Sequence, residues 1–127
     1  MSTLKVTDIQ SNSASFNTPV VFKTSGGTEN GKLIKTWVNF NGQGTIAIRD
    51  SFNVNSITDR GVGRYDVNLV NGLSSANYCV AGTANGARWL HAHNDANPST
   101  TSINVGSTDW NGNMYDPEYA NCMVCQN

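Results

Sequence analysis

The sequence predicts an all-β fold of short antiparallel strands, led in by an extended N-terminal arm. Three observations predict it. Residues 65–69 alternate Tyr65, Val67 and Leu69 with Asp66 and Asn68, the period-two pattern of a strand with one buried and one wet face. Turn signals recur at short intervals, as in Gly42-Gln43-Gly44, Gly61-Val62-Gly63, Asn71-Gly72 and Asn85-Gly86. Only 13% of the 127 residues are charged, while Asn, Ser, Thr and Gly are abundant, a composition suited to turn-rich β structure with polar outer faces. This length suits one domain, or one domain with an arm.

The arm comprises residues 1–35. Leu4 and Val6 alternate briefly before Ser11-Asn12-Ser13 breaks the pattern. Pro19 lacks a ladder donor and belongs at a sheet edge or outside one. Residues 25–31 read as a loop. Its apolar residues are too sparse to close a core, yet Leu4, Val6, Ile9, Phe16, Val20, Val21, Phe22, Leu33 and Ile34 are too many to leave in water. Packing of the arm on a neighbouring chain or docking partner resolves this. The competing reading folds it back on its own domain.

The domain proper spans residues 36–127. Strands are expected at 36–41, 45–49, 54–58, 65–69 and 77–82, joined as a meander. The loop at 59–63 is the connection of a hairpin. In the first strand Val38 and Phe40 share one face and Trp37, Asn39 and Asn41 the other, so Trp37 faces either a second sheet or another subunit. Tyr78 and Val80 lie opposite Cys79 and Ala81. Farther on, Trp89, His91 and His93 alternate with Leu90 and Ala92 over 88–93. Residues 94–101 read as loop, 102–105 as a strand and 107–118 as loop again.

The pieces Lys35-Thr36-Trp37-Val38-Asn39-Phe40-Asn41-Gly42, Ile48-Arg49-Asp50-Ser51-Phe52-Asn53-Val54, Ser56-Ile57-Thr58-Asp59 and Gly61-Val62-Gly63-Arg64-Tyr65-Asp66-Val67-Asn68 carry a resemblance. In order and spacing the series is similar to a module near the C-termini of bacteriophage tail-fibre and related virion proteins. The resemblance implies a small antiparallel β-sandwich that trimerises in a virion. Thr3-Leu4-Lys5-Val6 and Pro19-Val20-Val21-Phe22 are similar to the shaft-like segments that precede this module. Past residue 83 the likeness fades, until Tyr119-Ala120-Asn121-Cys122-Met123-Val124-Cys125, which resembles the terminal strand that finishes the module.

Other classes are less well supplied. A net charge of −1 gives no electrostatic footprint for nucleic acid. No apolar run approaches the roughly 20 residues that span a bilayer, and residues 1–10 lack the basic and apolar parts of a signal peptide. Assembly in a host cytoplasm and residence in a virion are expected. The three cysteines include Cys122-Met123-Val124-Cys125, but no second pair completes a zinc set. On a strand these two thiols point to opposite faces, so they are expected to be free, the alternative being a cross-strand or intersubunit bridge. Asp50, Asp59, Asp66, Asp109, Asp116, Glu29 and Glu118 show no spacing that singles out an acid–base pair. Gly61-x-Gly63 lacks the helix of a phosphate loop. No enzyme activity and no cofactor are expected.

His91 and His93 are too few for a closed metal site in one chain, though three copies about a threefold axis would supply six nitrogens. Locally the pair resembles the iron-binding His-x-His motifs of some long-fibre tips. A solvated or receptor-facing pair is the favoured reading. Trp89, His91, His93, Trp110 and Tyr115 gather rings among Asn, Thr, Ser and Gly, as a saccharide receptor requires. The alternative for the two tryptophans is that they cap the open end of the sandwich. The expectation is a homotrimeric tail-fibre-type virion protein that contacts other virion proteins and a host cell-surface saccharide. The rival is a capsid decoration, or cement, protein, favoured by a chain that starts at Met1 without a long shaft.

Overall fold

The computed structural model describes residues 20–24, 27–31, 34–93 and 98–126. Leu4, Val6 and Phe16 therefore lie outside the described residues, as does part of the loop expected at 94–101. The described elements are all strands. β1 (Val20–Thr24) and β2 (Gly27–Gly31) form an antiparallel hairpin, with Val21 opposite Asn30 and Phe22 opposite Glu29. The loop expected at 25–31 is corrected by this second strand. Of its residues only Thr28 favours a strand, while Gly, Glu and Asn are poor β-formers, but ladder bonds run through the backbone, and the β-rich Val20-Val21-Phe22 supplies a template for them.

Two four-stranded antiparallel sheets make up the rest. The first has the order β4 (Ala47–Phe52), β3 (Ile34–Asn41), β10 (Ala120–Cys125), β7 (Cys79–Ala84). The second has the order β5 (Val54–Asp59), β6 (Arg64–Leu69), β9 (Ser102–Asp109), β8 (Arg88–Ala92). Their inner faces meet in one core. Val38, Phe40, Ala120, Cys122 and Val124 come from the first sheet, and Tyr65, Val67, Leu90, Ile103 and Val105 from the second. Leu73, from the link after β6, joins them. Phe40 and Tyr65 meet edge-on across the sheets, with ring centroids 5.1 Å apart. This is the sandwich-like arrangement in which alternate residues of facing sheets interdigitate.

The expected meander is corrected. β3–β4 and β5–β6 are hairpins of different sheets, and the chain changes sheet at Asn53, between Phe52 and Val54. Asn53 has φ 60°, a left-handed value that Asn tolerates better than other residues with a Cβ. Its amide also fixes the corner. Oδ1 accepts from Asn71 N (2.8 Å), and Nδ2 donates to Asn71 O (3.0 Å) and to Lys35 O (3.1 Å). β10 then enters between β3 and β7, pairing with both.

One end of the sandwich is tied by Asp116. Its Oδ1 accepts from Gly63 N (2.6 Å) and from the Tyr65 hydroxyl (2.8 Å). Burial, then the Asp116 carboxylate, pushes the Tyr65 phenol far above its usual range. Gly63 must be glycine. Its φ is +65°, and a Cβ there would sit 2.6 Å from both Ser107 O and Tyr115 N.

Several strand bounds shift from expectation. β4 begins at Ala47 rather than 45, and β9 runs on to Asp109, so Ser107, expected in a loop, is fully buried in a strand. Ser107 reads as a loop residue by composition, but Ser107 N bonds Gly63 O (2.7 Å), which carries the ladder onward. Asp66, expected on a wet face, is only 5% exposed. It does lie on the outward side of β6, where Arg60 and Asn104 cover it.

The three cysteines are free. Cys122 points into the core, and Cys125, three residues on, is half-buried on the opposite side. Cys79 is exposed and stands opposite Cys125 in the β7–β10 register.

Candidate functional site

Trp89, His91 and His93 alternate with the buried Leu90 and so leave the sandwich on the outer face of the second sheet. Among the described residues β8 is an edge strand that pairs only with β9, which places Trp89 opposite Thr108 and His91 opposite Gly106. His93 lies just past β8, and its backbone N donates to Asn104 O (3.0 Å). The two imidazoles are 6.1 Å apart between ring centroids. Burial, then the neighbouring His93, holds His91 below the ordinary imidazole pKa.

The next strands complete the face. On β6, Arg64 stands opposite Gly106 and Asp66 opposite Asn104. Arg60, from the β5–β6 turn, forms an ion pair with Asp66, its Nε donating to Oδ2 at 2.6 Å. Asn104 Nδ2 donates to the other oxygen, Oδ1. Arg60, Arg64, Asp66, Asn104 and His93 line a groove of about 400 Å³. Gly106 explains the clearance beside it. A Cβ there would lie 2.5 Å from His93 Cδ2 and 3.0 Å from His91 Nε2, so both rings lean over a position without a side chain.

The other two expected receptor residues lie elsewhere. Trp110 follows β9 in a tight turn closed by Asp109 N to Asn113 O (2.9 Å), and it is 72% exposed. Asp109 Oδ1 accepts from the backbone N of Asn111 and Asn113, at 2.9 Å each. These bonds and the Asn113 amide hold the Asp109 carboxyl below its usual range. Tyr115 is half-buried, with the Arg88 guanidinium 3.4 Å from its ring centroid and its hydroxyl accepting from Gln43 Nε2 (2.9 Å). Tyr115 thus serves as a platform for Arg88. The structure brings Trp89, His91 and His93 together and sets Tyr115 and Trp110 in the connection from β9 to β10.

The described docking residues fall on separate strands. Val21 and Phe22 lie on β1. Trp37 is half-buried on the outer face of the first sheet, in a cross-strand row with Phe52, Met123 and Ala81. Phe52 is 47% exposed and Met123 37%. The row borders a cavity of about 310 Å³, lined by Trp37, Ala81, Thr83, Asn121 and Met123 among others.

Sequence reasoning missed the grouping of Arg60, Arg64, Asp66 and Asn104. Only the β6–β9 register brings Asn104 to Asp66, and no local spacing reports that register. Among the described residues, no three His, Cys, Asp or Glu side chains converge as a metal site. Among them, too, no helix is long and apolar enough to cross a membrane. No known protein family, no curated protein and no solved structure matches this chain.

Proposed function

We propose that this chain is a structural protein of a bacteriophage virion, of the tail-fibre type. It assembles as a homotrimer and presents its β-sandwich at the particle surface to a host saccharide. The observation that carries the binding role is the outer face of the second sheet. A tryptophan and two histidines leave a rigid sheet in a row, beside a groove walled by guanidinium, carboxylate and amide groups. Indole gives a flat apolar surface for a sugar ring, and the polar groups match its hydroxyls. The resemblance of the 35–68 stretch to the fibre module supports the virion class. The Phe52–Trp37–Met123–Ala81 row supports assembly, since a tryptophan and a phenylalanine are left on a face that a neighbouring copy would cover. The part of the expected arm that precedes β3 packs on a neighbouring copy or docks to another virion protein.

Labelling intact particles with an antibody to this chain tests the reading. Label at the tail is expected. Label over the head would replace the proposal with capsid decoration, and particles without label would remove the virion role.

A further inference from the structure

The geometry points to Cys79 and Cys125 as a modification site, a thiol pair that closes to a cross-strand disulfide in oxidising surroundings. The two residues stand directly opposite one another in the β7–β10 register. Alternation puts both on the outer face of the first sheet, since their neighbours Val80 and Val124 turn toward the core. Residues opposed in an antiparallel pair have Cα atoms about 4.5–5.5 Å apart, inside the range of about 4.4–6.8 Å that a disulfide spans. Cys79 is exposed and Cys125 half-buried, so an oxidant meets Cys79 first. Cys122, the remaining cysteine, is 4% exposed in the core and faces away from both.

The pairing is held in place. From Ala120 opposite Ala84 to Cys125 opposite Cys79 the β7–β10 register runs without a shift, and the irregularity between Val124 and Cys125 falls on the β3 side. One residue past Cys125, the buried Gln126 ties the chain to the link before β7. Its Nε2 donates to Ser75 O (2.6 Å), and its Oε1 accepts from Ser74 N (3.0 Å). These bonds oppose the one-residue slip that would turn the two thiols to opposite faces.

Closure is a two-step exchange with a small disulfide such as oxidised glutathione. The Cys79 thiolate attacks one of its sulfurs, forming a mixed disulfide and releasing one glutathione thiolate. The Cys125 thiolate then attacks the Cys79 sulfur and releases the second. The two thiol protons pass through solvent to the two glutathione thiolates, and two electrons move from the cysteine pair to the reagent. A cytoplasm keeps such a pair reduced, and an extracellular setting lets it close. Among the described residues β7 pairs only with β10, so the bond pins an edge strand to its neighbour. This chemistry does not depend on the saccharide reading.

The test treats the folded full chain with oxidised glutathione, with dithiothreitol as the reduced control. After denaturation and alkylation, the monomeric band of a non-reducing gel is cut with trypsin and then with cyanogen bromide, which parts Cys122 from Cys125 at Met123. Mass mapping is expected to find Cys79 joined to Cys125 and Cys122 alkylated. Oxidation should raise the urea midpoint by about 1 M, the scale of a typical cross-link. Cys79→Ser should abolish that rise and leave the reduced midpoint nearly unchanged. Bonds to Cys122, bonds only between chains, or glutathione left on Cys79 with Cys125 alkylated would each overturn the pair. A linked chain whose midpoint does not rise would overturn the pinning of β7.

Discussion

At His91 a single imidazole reports on the whole outer face. Burial and His93 hold its pKa below the ordinary value, so the folded chain binds fewer protons there than the unfolded chain does. Stability should therefore fall as pH drops from neutrality through the ordinary imidazole value toward the lower folded one. Urea midpoints measured across that window should show the slope, and His91→Gln should flatten it. The cysteines separate by the same physics. Burial pushes the Cys122 thiol up to about 12, while Cys79 is exposed. Thiolate is the reactive form. Iodoacetamide should modify Cys79 in the folded protein and Cys122 only after denaturation, as peptide mass mapping would reveal. Early modification of Cys122 would contradict the burial described here.

At the scale of elements, the corner between β4 and β5 is the most exacting. Asn53→Ala loses the amide bonds to Asn71 and Lys35 and puts a poorly suited residue at φ 60°. A loss of about 2–3 kcal/mol is expected from denaturant titration. Asn53→Gly keeps the backbone conformation and should cost about 1 kcal/mol. Equal losses would mean that the left-handed φ is not the constraint.

What the sequence made legible follows the same division. Alternation located β6 and β8, because the side chains that face the core report the period directly. Leu90 between Trp89 and His91 is the clearest case. Nothing local marked Asn53 as the place where the chain leaves one sheet for the other, since its neighbours on both sides are ordinary strand residues. Gly27–Gly31 was hidden because its Gly, Glu and Asn are residue types that pattern reading assigns to loops. Asp66 alternated like a solvent-facing residue, and its burial comes from partners six and thirty-eight positions away.

For the whole molecule, assembly is the property most open to measurement. Light scattering should give the mass of three chains. Trp37→Glu places a charge in the row beside Phe52 and Met123 and should yield monomers whose circular dichroism keeps its β signature. A native protein that is monomeric at micromolar concentration would remove the trimer. The position of β10 has a further consequence, for the order of events during synthesis. A ribosome delivers β3, β4 and β7 before the strand that joins β3 to β7. Until β10 emerges, β3 and β7 each present an open hydrogen-bonding edge, the template on which chains aggregate. A nascent chain halted before residue 120 thus holds two unmatched halves of a sheet. Slow decoding in the stretch ahead of β10 would lengthen the time for which those edges stay open.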